Sequence, residues 1–230
     1  MAGVSRLQYS TEIRLIRVMC SGRVDLEFIL RSFSNGADGV FIGGCRLNEC
    51  NYITHGNYDA LSNVLLCKKI MGHIGLDPER LRIEFMSSGD GILLAEIIND
   101  YCKKVKEIGP LGKSEGIDEK ELTFKLEAVT KLIPYVKLVE REKLRVPFKS
   151  EEAYYKYFTS DEVNRLIDEL IIDKLAISQI MLLLREKPLT TGEMSETLGL
   201  NPSEVSRHVN SSSRHGLVRY DETRKCYALV

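Results

Sequence analysis

Two cysteines stand behind a glycine pair in the run Gly43-Gly44-Cys45-Arg46-Leu47-Asn48-Glu49-Cys50, and a third, Cys20, ends an earlier apolar run. Thiolates gathered at strand ends are what an iron–sulfur cluster needs, because a soft metal cluster is held by ionised sulfur and shielded by nearby backbone. The glycines before Cys45 let backbone N–H groups approach such a cluster's sulfurs. A C-x4-C spacing occurs within plant-type ferredoxin frameworks, although the close third cysteine of that pattern is absent here. Two unrelated free thiols on a loop are the bland alternative. A thiol-based enzyme using Cys45 and Cys50 as a redox pair is another, against which the gap is longer than the C-x-x-C of thioredoxin-like sites. Three thiolates also fall one short of the four that a [2Fe–2S] or [4Fe–4S] cluster takes. His55 stands close enough in sequence to supply a nitrogen, as in Rieske-type centres, but a polar loop histidine is more commonly just solvated. Cys67 and Cys102 fall at helical spacing among apolar residues, and Cys226 lies in an expected strand, so these three read as packed thiols.

The elements that must position these residues alternate. The run 13–20 is a strand candidate, 25–37 has Leu26, Ile29, Leu30 and Phe33 spaced for a helix face, and 38–45 is an apolar run entering a glycine turn, as a buried parallel strand would be. A helix is expected over 58–76, a strand over 81–86 and a helix over 90–108. Strand, helix, strand, helix, strand, helix implies an α/β domain with a small parallel sheet, whose ligands sit beyond the carboxyl ends of the strands. Cys20, Cys45 and the turn Ser87-Ser88-Gly89-Asp90 all fall at that edge. The glycine-rich run 109–116 reads as a linker. Helical pattern follows from Asp118, with Pro134 expected to kink or end the first helix and Thr159-Ser160-Asp161-Glu162 expected to cap another running through Leu170.

The last stretch orders a helix over 177–185, a short helix ending at Gly199, a helix entered at Pro202, and two strands over 216–220 and 225–230. That order is a winged helix-turn-helix, similar to small bacterial and archaeal winged-helix regulators. The expected organisation is therefore an iron–sulfur domain over 1–109, a helical connector over 110–173 and a winged helix over 174–230. Ser206, Arg207, Asn210, Ser211 and Arg214 are the side chains that would face a DNA groove or a protein partner. Lys174 to Val230 holds eight Lys/Arg against six Asp/Glu, a weak footprint for a DNA reader, which favours a protein-docking role over DNA.

Charged residues make up 28% of the 230-residue chain and the net charge is -1, so composition gives no global argument for nucleic acid. No apolar run reaches the roughly 18 residues of a membrane span and no signal peptide opens the chain, so a cytoplasmic location is expected, with no membrane partner. In a reducing compartment the six cysteines read as ligands or small hydrophobes and not as a disulfide frame.

Four motifs then carry a resemblance: Arg14-Leu15-Ile16-Arg17-Val18-Met19-Cys20-Ser21-Gly22-Arg23-Val24-Asp25, Gly36-Ala37-Asp38-Gly39-Val40-Phe41-Ile42-Gly43-Gly44-Cys45, Glu49-Cys50-Asn51-Tyr52 and Gly56-Asn57-Tyr58. Over residues 3–109 the chain resembles the delta subunit of methyl-viologen-reducing hydrogenase. The resemblance implies a small α/β protein with a [2Fe–2S] cluster ligated at Cys20, Cys45 and Cys50, with Arg23 and the 87–90 turn near the cluster or a partner. It further implies electron relay from a hydrogenase or formate dehydrogenase to a heterodisulfide-reductase-A-like flavoprotein, in anaerobic metabolism. Members of that family usually carry an additional N-terminal strand and cysteine segment. The expectation is thus a sheet lacking its first strand and an incomplete ligand set, from a gene model starting too late, a split subunit or a true loss. Such a set cannot close a four-cysteine cluster unless another chain contributes. The alternative function is a redox-sensing transcription regulator that binds DNA through the winged helix.

Overall fold

The computed structural model describes residues 7–52 and 55–230; residues 1–6, which open the first expected domain, lie outside the described residues. The chain divides into two compact units, one made of the residues up to Leu122 with Leu144–Val163, the other of Thr123–Lys143 with Asn164–Val230.

In the first unit, helix α1 (Leu26–Ser34) starts where Asp25 Oδ1 accepts from the amides of Glu27 and Phe28, at 3.0 and 3.3 Å. It buries Leu26, Ile29, Leu30 and Phe33, the face expected from their spacing. Strand β1 (Val40–Gly44) pairs in parallel with β2 (Leu81–Phe85), Val40 opposite Leu81 and Gly44 opposite Phe85. The crossover between them carries α2 (Asn57–His73), which buries Leu61, Val64, Leu65, Leu66, Cys67, Ile70 and Met71. Helix α3 (Gly91–Ile108) follows β2 and turns Ala95, Ile98 and Tyr101 inward. The unit is α/β with a two-stranded parallel sheet.

The third expected strand is a correction. Residues 13–20 form no ladder with β1 or β2. Their apolar side chains are not spent on a core: Leu15, Ile16 and Met19 are 79%, 80% and 90% exposed. A run of strand-forming residues becomes a strand only when a neighbouring edge takes its N–H and C=O groups and a face is buried, and neither condition is met among the described residues.

One buried cation closes this unit. Arg80 is 0% exposed, yet all its N–H groups find acceptors. It donates to Glu115 Oε1 and Oε2 at 2.5 and 3.1 Å, to the carbonyls of Asp38 and Gly109 at 2.9 and 2.8 Å, and to the carbonyl of Pro110 at 3.3 Å. The glycine-rich segment after α3 is thereby tied back to the loop before β1 and to β2. Burial alone would raise the Glu115 carboxyl, but the Arg80 guanidinium and the Asp77 amide outweigh it and hold the group below the usual carboxylate range.

Helix α4 (Glu119–Lys143), which belongs to the second unit from Thr123 on, continues through Pro134, so of the expected kink or end the end does not occur. A proline removes one intrahelical donor, and here Leu126, Val129, Ile133, Val136 and Val139 are buried on both sides of it, so packing outweighs the lost bond. Helix α5 (Glu151–Thr159), in the first unit, stops at Ser160, whose hydroxyl oxygen accepts from the Val163 amide at 3.3 Å at the start of α6 (Asp161–Ile167). The expected end near Leu170 is absent: a π-helical turn (Asp168–Ile172) leads straight into α7 (Asp173–Glu186).

The winged helix follows as expected. A Thr190–Glu193 capping box opens α8 (Thr191–Leu198), Gly199 ends it with φ +65°, and Asn201 and Pro202 start α9 (Pro202–Arg214). Strands β3 (Val218–Asp221) and β4 (Cys226–Leu229) are antiparallel, and Leu189 adds a bridge to Tyr227. Ile180, Leu183, Leu184, Leu189, Met194, Val205, Val209 and Val218 form its core. The chain is therefore mixed α/β with a helical region and a C-terminal winged helix.

Glu115→Gln is expected to destabilise the first unit by about 3–5 kcal/mol, because it leaves the Arg80 charge buried without its counter-charge. Hydrogen exchange of the β1 and β2 amides checks it. Because the folded-state pKa of Glu115 is depressed, its contribution is fully present at neutral pH and disappears as pH falls through that lowered value. The wild-type loss on acidification should therefore be blunted in Glu115→Gln.

Candidate metal centre

Cys20 ends the irregular segment 13–20 and enters a 3₁₀ turn (Ser21–Arg23), closed by a bond from the Arg23 amide to the Cys20 carbonyl at 3.0 Å. Cys45 follows the last residue of β1, and Cys50 ends the loop beyond it. Two glycines let these segments meet. A Cβ on Gly22 would lie 2.7 and 2.6 Å from the carbonyl oxygens of His55 and Gly56, and a Cβ on Gly56 would lie 2.6 Å from Cys50 Sγ. Any larger residue at either place would push the Cys20 turn or the Cys50 thiol out of register.

A buried carboxamide fixes the Cys45 turn. Asn57, 1% exposed at the start of α2, donates through Nδ2 to the carbonyls of Cys45 and Arg46 at 2.9 and 2.8 Å, and Nδ2 lies 3.5 Å from Cys45 Sγ. Its neighbour Tyr58 places its hydroxyl 3.0 Å from Asn48 Oδ1, beside the one loop residue held at φ +70°. Arg46 then reaches across to Asp90, at 2.8 Å, and Asp90 also accepts from the Ser87 amide at 2.8 Å. The Asp90 carboxyl is held below its ordinary value by that amide first and by Arg46 second. The 87–90 turn and the Cys45 loop are thus one connected surface.

The thiols act on one another. Burial raises the Cys45 thiol, and Cys50 and then Cys20 push it further up. Burial would raise Cys50 as well, but the amides of Tyr52 and Asn57, together with the thiols of Cys45 and Cys20, bring it below its ordinary value. Cys50 therefore ionises before Cys45, and its charge makes a thiolate at Cys45 costly. A multivalent cationic group removes that cost by neutralising all three. Ser21 adds a second observation: its hydroxyl is buried without a partner, beside Gly44 at the strand end. A set of soft donors, a glycine cradle against Cys50 Sγ and an orphaned hydroxyl suit an iron–sulfur group.

The remaining residues singled out from the sequence divide clearly. His55 is 80% exposed at its side chain and pairs with Asp59 at 3.0 Å, away from ligation. Cys67 is fully buried in α2, its thiol pushed up to about 12 by burial. On α9, Arg207, Asn210, Ser211 and Arg214 are exposed and Ser206 is half-buried. Sequence reasoning assigns no role to Asn57, Gly22 or Gly56; an asparagine directly after a glycine at a helix start is the available signal.

Residues 1–109 match the family described as methyl-viologen-reducing hydrogenase, delta subunit, and residues 178–220 match that described as bacterial regulatory protein, arsR family. The chain is 42% identical over 110 residues to the iron–sulfur subunit of the F420-non-reducing hydrogenase of Archaeoglobus profundus, covering 48% of this chain and 80% of that protein. It is 43% identical over 121 residues to the iron–sulfur subunit of the vhc F420-non-reducing hydrogenase of Methanococcus voltae, covering 51% and 83%. It is also 47% identical over 112 residues to one component of the ferredoxin/F(420)H(2)-dependent CoB-CoM heterodisulfide reductase of Methanosarcina acetivorans, covering 49% of this chain but only 14% of that protein.

In the metal-free protein, Cys50 should be alkylated by iodoacetamide faster than Cys45 at neutral pH, with Cys67 unreactive until the chain unfolds. Peptide mass spectrometry across a pH series checks it. Equal rates for Cys45 and Cys50 would contradict the ionisation order.

Proposed function

The chain belongs to the methyl-viologen-reducing hydrogenase delta-subunit family, and on that premise we propose that it is an electron-transfer subunit whose Cys20, Cys45 and Cys50 hold a [2Fe–2S] cluster. The observation that carries this reading is the meeting of the three thiols at the end of β1, held by Gly22, Gly56 and Asn57. Bound there, the cluster supplies one-electron storage at a potential set by its surroundings. The protein's own residues supply those surroundings. Asn57 orients the Cys45 turn, the Tyr52 and Asn57 amides stabilise charge on Cys50, and the Ser21 hydroxyl is free to donate toward the sulfurs. A further ligand comes from outside this trio.

The reading extends to partners. The chain receives electrons from a hydrogenase or formate dehydrogenase subunit and passes them to a heterodisulfide-reductase-A-like flavoprotein. Two things support this: relatives named as hydrogenase subunits, and a similar stretch lying within a much longer heterodisulfide reductase component. An electron carrier must also bring its cofactor within tunnelling distance of a partner's. The exposed apolar side chains of Leu15, Ile16 and Met19, leading directly into Cys20, suit such a docking surface.

A second reading rests on the winged helix and its match to a regulatory family. In it, α9 presents Arg207, Asn210 and Arg214 to DNA and the cluster domain senses redox state.

Anaerobic reconstitution of the chain, with the flavoprotein partner present, should give about two irons per chain and a [2Fe–2S] signal on reduction. Cys45→Ala should abolish it and Asn57→Ala should reduce it. A colourless, iron-free product would sink the relay reading. For the second reading, Arg214→Ala should weaken a salt-dependent mobility shift of DNA from the chain's own gene region, and absence of any shift at low salt overturns it.

A further inference from the structure

A second group of donors lies in the winged-helix unit, remote in sequence from the cysteines. Glu204 and His208 stand one turn apart on α9, and Asp173 begins α7 directly after the π-helical turn. One donor atom from each of the three lies within 4.8 Å of the other two. His208 is 4% exposed and its Nε2 is buried without a hydrogen-bond partner. That nitrogen points at the two carboxylates from 3.8 Å (Glu204 Oε1) and 3.9 Å (Asp173 Oδ1), too far to bond to either. A buried imidazole nitrogen left unpaired is costly, and its distances to the carboxylates approach those between the ligands of one small cation. Ligands about 2.0–2.2 Å from a tetrahedral zinc lie roughly 3.4 Å from one another, so His208 Nε2 needs to approach each carboxylate by only about half an ångström.

The carboxylates already face a positive charge. Arg207 Nη2 lies 3.1 Å from Asp173 Oδ1 and 4.0 Å from Glu204 Oε1, while its side chain stays 62% exposed. The guanidinium bonds to Asp173, and His208 Nε2 is left without a partner. We propose that Asp173, Glu204 and His208 form a site for one divalent transition-metal ion of the Zn2+ type, and that metal entry releases Arg207 from Asp173. The two oxygens and one nitrogen, with water as the remaining ligand, suit a borderline cation. Arg207 is one of the exposed α9 side chains that the winged helix would offer to DNA or a partner. Occupancy therefore changes the charge which that face presents.

Zinc titration of the full chain tests this in a Cys20→Ser, Cys45→Ser, Cys50→Ser background, which removes the competing thiolates. One zinc per chain is expected by calorimetry. Co2+ in its place should give ligand-field absorption without a thiolate charge-transfer band. Glu204→Gln and Asp173→Asn, both at partly exposed positions, should each weaken zinc binding by at least about tenfold, as losing even an outer-shell partner does. His208→Gln should do the same with the helical circular dichroism retained. Arg207→Ala should tighten binding. Absence of zinc binding in the triple-serine chain, or equal affinity in the Glu204 and Asp173 variants, overturns the site. Unchanged affinity in Arg207→Ala overturns the competition.

Discussion

Everything that gives the N-terminal unit its chemistry depends on a close approach between two backbone segments. The turn after Cys20 and the entry to α2 touch at Gly22 and Gly56, where any side chain would strike a carbonyl or the Cys50 sulfur. Asn57, the next residue, converts that proximity into order by bonding two carbonyls of the Cys45 turn. A buried carboxamide that satisfies two carbonyls resists rotation, because turning it would orphan three polar groups at once. The thiols are thus brought together by backbone contact and one side chain. Their mutual electrostatics follow from this, with Cys50 favoured as thiolate and Cys45 disfavoured. Preorganisation of this kind lowers the ordering cost of any ligand that the three thiols take up.

Much of this is legible in the sequence because it is local. The apolar spacing of Leu26, Ile29, Leu30 and Phe33 marks α1, the glycine-terminated run before Cys45 marks β1, and Gly199, Asn201 and Pro202 mark the helix-turn-helix boundaries. Each depends on a residue's neighbours a few positions away. Where tertiary terms decide, sequence patterns mislead. Residues 13–20 have strand composition but no paired edge, and Pro134 has breaker chemistry but sits in a helix held by packing on both sides. The π-helical turn at Asp168–Ile172 has no sequence signal, and without it two expected helices read as separate.

The site is half legible for the same reason. Cysteines announce themselves by type, so Cys20, Cys45 and Cys50 stand out. Asn57 and Gly56 act only through what the fold places against them, and Arg80 holds its unit by bonding carbonyls and a carboxylate 29 to 42 residues away. On α9, the residues that suggest a DNA face do so simply as polar side chains on a recognition helix. Glu204 and His208 carry no comparable signal, because their partner, Asp173, lies 35 residues upstream of His208.

The two donor sets differ in a way that physical chemistry uses. Thiolates are soft and polarisable and favour iron–sulfur clusters, Cu(I) or zinc, whereas two carboxylates with an imidazole make a harder set that binds borderline divalent ions and has little affinity for clusters. Charge separates them further. Cys45 and Cys50 disfavour ionising together, so a cationic group bound there relieves their mutual repulsion. Asp173 and Glu204 already share a guanidinium, so a simple dication that outcompetes one arginine is enough there. A chain carrying both therefore offers a softer donor set in one unit and a harder one in the other, and the thiolates compete for zinc unless a cluster already occupies them. In the second unit, that ion's arrival is felt as a change in the charge of α9.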